Sequence, residues 1–107
     1  MQFLVKGLDG KDEGAINRRL AVREDHIALG DKLVASGNMW YGAALVDDSG
    51  KMIGSVLIMD FPSEKELQDW FDIEPYVIGN VWKEIEIHKA SVREPWQFNR
   101  SKEFFEK

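Results

Sequence analysis

The chain has no cysteine among its 107 residues, which excludes a disulfide framework, a thiol nucleophile and a cysteine metal centre. It has two histidines, His26 and His88, and these alone carry side chains that ordinarily titrate near neutral pH. They lack the close spacing of a metal-binding pair, so no metal site is expected. No apolar run approaches the roughly 20 residues that a membrane span needs. The opening, MQFLVKGLDG, lacks the basic-then-apolar order of a secretory leader, so the reading is a cytoplasmic protein with no membrane partner. Basic residues are spread out rather than clustered, 14 Lys and Arg in a chain of net charge −5, which argues against nucleic acid. Gly42, Gly50, Gly54 and Gly79 stand in no Gly-x-Gly-x-x-Gly or phosphate-loop context, and no nucleotide or other cofactor is expected.

What is present reads as one soluble globular domain with an ordinary apolar fraction of 44%. A chain of this length can build a single core with modest reserve, so further burial in an oligomer would help it. Residues 2–7, QFLVKG, form a short apolar strand closed by Gly7, Asp9 and Gly10. A long helix follows from about Gly14 to Ser36, with Gly37-Asn38 as its stop. Residues 39–47 and 51–61 flank Asp48-Ser49-Gly50 and predict a β-hairpin. Ser63 and Glu66 predict a capped second helix that buries Leu67, Trp70 and Phe71 and stops at Glu74-Pro75. Residues 81–92 alternate, with Val81, Ile85 and Ile87 on one face and Trp82, Glu84, Glu86 and His88 on the other.

The order β-α-β-β-α-β predicts an α+β, ferredoxin-like fold over residues 1–92, a four-stranded antiparallel sheet with two helices on one face. Residues 93–107 read as a tail, packed or partly disordered. The strand around Val56-Leu57-Ile58-Met59 is apolar on both faces, so the second face needs cover as well. A second subunit packed sheet to sheet would supply it, giving a dimeric α+β barrel.

The stretch RRLAVREDHIALG, residues 18–30, carries the chemistry. With about 100° per residue and Ile16 as zero, Leu20, Ile27 and Val34 fall within about 40° and predict the buried centre of the first helix. Arg23 lies about 20° to one side and Arg19 and His26 about 60° to 80° round, still within an apolar arc. A cation or imidazole placed there needs an acidic partner or a wet cavity, because burying it alone costs several kcal/mol. Glu74 and Glu86 are the candidate carboxylates for such a partnership.

The run Arg19-Leu20-Ala21-Val22-Arg23 followed by His26 resembles the signature of the YCII-related (YciI-like) family of small bacterial proteins. Gly37, Gly54-Ser55, Phe61, Ser63, Trp70 and Pro75-Tyr76 follow in the family's order, so the resemblance spans residues 2 to about 90. It implies a ferredoxin-like homodimer with an active site built on the helix His and the Asp of an Asp-Pro-Tyr motif. It also implies chemistry of the kind that a few relatives perform on chlorinated hydroxyquinols as dehydrochlorinases. This chain reads Glu74-Pro75-Tyr76, which keeps the charge and adds a methylene, with Asp72 as a spare carboxylate two residues earlier.

The expected function is therefore small-molecule chemistry of lyase or hydrolase type on an anionic or aromatic substrate. His26 would be the general acid or base and Glu74 its orienting partner. Arg19 and Arg23 would hold negative charge, and Ser55 and Tyr76 would supply hydroxyl hydrogen bonds. The same residues admit another reading, a non-catalytic ligand-binding or protein-interaction module in which Arg, His and Glu form a structural network.

Overall fold

Alternate residues of Gln2–Asp9 are buried, and this segment is the strand β1. Phe3, Val5, Gly7 and Asp9 face inward, while Leu4, Lys6 and Leu8 face the other way. The computed structural model describes residues 1–98 and 100–106. After β1 come α1 (Ala15–Ser36), β2 (Met39–Val46), β3 (Met52–Asp60), α2 (Glu64–Phe71), α3 (Pro75–Ile78) and β4 (Trp82–Ala90). A 3-10 turn at Pro95–Phe98 and a short α4 (Lys102–Phe105) complete the order. The four strands form one sheet in the order β2-β3-β1-β4, antiparallel throughout. The architecture is α+β, as the sequence pattern predicts.

Phe3 and Val5 of β1 pair with Met59 and Leu57 of β3, and all four side chains enter the core. Leu67, Trp70 and Phe71 of α2 and Tyr76 of α3 close over them. Ser63 begins α2 as expected, its hydroxyl accepting from the Glu66 N–H at 3.2 Å. Gly37 ends α1 with φ 84°, a left-handed conformation that glycine adopts without steric cost. Among the described residues, no helix is long and apolar enough to cross a membrane.

Several expectations are corrected. The first strand continues past Gly7 to Asp9, because Asp9 points inward and finds a buried partner there. Glu74-Pro75 ends α2 and also starts α3, with proline at the first helical position where its missing N–H costs nothing. On β4, Leu8 stands opposite Glu84 and Asp9 opposite Trp82, so Lys83 is an extra residue. That bulge turns Trp82 onto the inward face with Ile85 and Ile87, whereas strict alternation had placed it with the glutamates.

The largest correction concerns α1. Leu20, Ile27 and Val34 are 53%, 40% and 54% exposed, whereas Arg19 is 2% exposed. The inward line is Ala15, Arg19, Val22, His26, Leu29 and Leu33, centred about 100° round from the predicted stripe. Hydrophobic periodicity weighs side chains singly. It cannot register that Arg19 and His26 meet buried carboxylates carried by other elements.

On the outward face of the sheet, Leu4 pairs with Ile58 and with His88, and Lys6 with Val56 and with Glu86. One half of that face is therefore apolar. The half on β4 is charged, with Lys6 Nζ 3.9 Å from Glu86 Oε2.

Candidate functional site

Arg19 is the hub of the inner site. Its Nε–H donates to Asp9 Oδ2 at 2.7 Å and its Nη2–H groups reach Gly54 O at 2.6 Å, Ser55 Oγ at 2.8 Å and Asp9 Oδ1 at 3.3 Å. Nη1 donates to Tyr76 Oη at 3.3 Å and approaches Met52 Sδ at 4.0 Å. Asp9 and Arg19 side chains are 3% and 2% exposed. The guanidinium thus uses its fork to tie β1, β3 and α3 to α1, and Asp9 balances its charge in a place where a lone cation would be expensive. Ser55 accepts a second bond, from Trp82 Nε1–H at 3.2 Å. Trp82 reaches across β1 because residue 7 is glycine. A Cβ there would lie 2.4 Å from the indole ring.

His26 Nδ1 is hydrogen-bonded to Glu74 Oε1. The same oxygen accepts from the Tyr76 backbone N–H at 3.2 Å, so Glu74 both caps α3 and holds the imidazole. Glu74 is 1% exposed. The backbone at residue 74 is extended (φ −69°, ψ 120°), and from it the Glu74 side chain reaches both donors. Asp72 sits exposed at the C-terminal end of α2. Tyr76 lies flat on His26, ring centroids 3.8 Å apart at 11°, and its ring faces the Arg19 guanidinium at 4.6 Å. Burial pushes the Tyr76 phenol above its ordinary pKa, against the opposing pull of Arg19 and Arg23.

These groups border a cavity of about 340 Å³, within the range of roughly 300–1,000 Å³ usual for small-molecule sites. Arg19, Arg23, His26, Gly30 and Asp31 of α1 form one wall, and Met39, Gly42 and Ala44 of β2 face them. Ile27 and Val34 of α1, Ala43 of β2, Met52, Ser55 and Leu57 of β3 and Tyr76 of α3 complete the lining. Arg23 is exposed and, among the described residues, makes no side-chain hydrogen bond or ion pair. It is thus a cation at a cavity wall, and the carboxylates proposed as its partners lie elsewhere, Glu74 being bound to His26. Among the described residues no group of three acidic or imidazole ligands is placed to hold a metal ion.

All six residues singled out in the sequence, His26, Glu74, Arg19, Arg23, Ser55 and Tyr76, meet around this one space or, for Glu74, directly behind it. Sequence reasoning missed Asp9 and the inward turn of Trp82. The Asp9 signal was alternation in QFLVKGLD, whose odd-numbered positions all point inward if the strand is run through the glycine.

A family model, the YCII-related domain, matches residues 1–91. The chain belongs to the YCII-related family. Its fold resembles that of a solved 5-chloro-2-hydroxyhydroquinone dehydrochlorinase from Burkholderia phenoliruptrix, determined in complex with 2,5-dihydroxybenzoquinone. The two share 22% identity at a TM-score of 0.73, over 85% of this chain and 94% of that one. No curated protein matches the chain. This YCII-related chain thus shares the fold of that dehydrochlorinase and carries Glu74 before Pro75-Tyr76.

Proposed function

We propose that this YCII-related protein is a small-molecule enzyme of lyase type, with His26 as general base and Glu74 as its orienting partner. The observation that carries the reading is the bond between His26 Nδ1 and the buried Glu74 carboxylate at the edge of the cavity. A carboxylate on Nδ1 keeps the neutral ring's proton there and leaves the Nε2 lone pair as the basic position. Arg23 draws a small anionic or aromatic molecule in, and Met39, Met52 and Leu57 give its ring an apolar seat. Nε2 takes a proton from the substrate, the electron pair moves into the ring system, and a leaving group such as chloride departs with the bonding pair. The proton stays on the imidazolium, which Glu74 stabilises. The dehydrochlorinase fold supports this class of step, and a second copy packed on the apolar half of the open sheet completes the assembly as a homodimer.

The test is chloride release from 5-chloro-2-hydroxyhydroquinone and related chlorinated hydroxyarenes. The parent protein should turn over at least one of them, and His26→Ala and Glu74→Gln should lower the rate by about 10²- to 10⁴-fold. Equal turnover in parent and His26→Ala would reject the dyad, and binding without turnover in the parent would leave a ligand-binding module.

A further inference from the structure

Arg19 is a wall of the cavity but has no N–H to spare for a ligand, since its donors are taken by Asp9, Gly54, Ser55, Tyr76 and the Met52 sulfur. Two of those acceptors are hydroxyl oxygens of residues that line the cavity, Ser55 and Tyr76. Ser55 Oγ accepts twice, from Arg19 at 2.8 Å and Trp82 at 3.2 Å, and Tyr76 Oη accepts once, from Arg19 at 3.3 Å. A hydroxyl that has accepted still holds one proton to give. Among the described residues, neither hydroxyl donates to a protein acceptor.

We propose that Ser55 Oγ–H and Tyr76 Oη–H form a two-donor oxyanion site, polarised from behind by Arg19, for the charged oxygen of a phenolate or enolate. A hydroxyl that accepts from a buried guanidinium becomes a better donor, because hydrogen bonds in a chain polarise one another at low dielectric. Asp9 neutralises Arg19, so the buried unit carries no net charge while its outward ends are positive hydrogens. Such a site selects an oxygen that accepts and rejects an analogue whose oxygen is blocked. Besides Arg19 and Tyr76 themselves, the charged and titratable groups on the cavity side are Arg23, His26 and Asp31. Arg23 gives long-range attraction, and the two hydroxyls give the short contacts that fix one oxygen beside His26. This deepens the proposed function, since it rests on the cavity being the substrate site, but it does not need His26 to act as a base.

The probe is 4-nitrophenol, whose hydroxyl ionises near neutral pH and whose anion is yellow, with its methyl ether as the blocked control. On the folded parent protein the bound probe should be ionised at lower pH than free probe, and the ether should bind more weakly. Ser55→Ala and Tyr76→Phe should each weaken anion binding about tenfold, the cost of one hydrogen bond to a charged group, and return its ionisation toward that of free probe. Tyr76→Phe keeps the ring on His26, and circular dichroism confirms folding of each variant. The chloride assay with His26→Ala reads the dyad, and the shift of 4-nitrophenol ionisation in the parent and the two hydroxyl variants reads the oxyanion site, so failure of one is distinguishable from failure of the other. Anion binding unchanged in both hydroxyl variants, or no preference for the anion in the parent, overturns the proposal.

Discussion

At the residue scale the site is a set of buried polar groups that satisfy one another. Arg19 with Asp9, and His26 with Glu74, are two partnerships in which each carboxylate comes from another element, Asp9 from the preceding strand and Glu74 from the start of α3. Leaving any of the four unpaired would strand a buried polar or charged group, a cost of several kcal/mol. Tyr76 stands between the pairs, stacked on one and bonded to the other. Its raised phenol pKa has a definite consequence for stability. A group that holds its proton more tightly when folded contributes stability below its unfolded pKa, near 10, and loses that contribution as pH rises through the raised folded value. Denaturant melts of the parent above pH 10 should therefore lose stability that Tyr76→Phe retains. Parallel curves for the two proteins would contradict the burial assigned to this phenol. The types and order of these residues were legible in the sequence, and the resemblance to the family pointed to His26, Glu74 and Tyr76. The pairing of Arg19 with Asp9 was not, because Asp9 sits beside glycines and reads as a turn residue until β1 is paired with β3 and β4.

At the element scale, two local departures from regularity bring the inner site together. The bulge at Lys83 turns Trp82 inward, and Gly7 leaves the space across β1 that the indole fills on its way to Ser55. Gly7→Ala should force the ring away, break the Trp82 bond to Ser55 and destabilise the protein by about 1–3 kcal/mol, the usual cost of overpacking. A change in indole fluorescence together with a lowered denaturation midpoint would show this, and an unshifted midpoint would deny the contact. Hairpin, caps and the order of elements along the chain were legible because turn chemistry and alternation are local. The rotation of α1 was not, because a helix with two candidate stripes turns toward whichever finds partners, and Leu20, Ile27 and Val34 lost to Ala15, Val22, Leu29 and Leu33. The bulge too has no sequence mark of its own, since one extra residue reverses facing without altering composition.

At the scale of the whole molecule, helices and cavity occupy one side of the sheet, and the other side presents Leu4, Val56 and Ile58 beside a charged half on β4. The proposed homodimer covers the apolar half. Light scattering should give twice the chain mass of 12.3 kDa, and Ile58→Asp should halve it. A monomeric parent would contradict the proposal. The proposed role of Glu74, to fix the His26 imidazole with Nε2 as its basic nitrogen toward the cavity, has a more direct test. Nitrogen NMR of histidine-labelled protein, with His88 as internal reference, reads the tautomer of each ring. Neutral His26 should carry its proton on Nδ1, and adding 2,5-dihydroxybenzoquinone should perturb Nε2. A proton found on Nε2, or no response of His26 to the bound quinone, would contradict it.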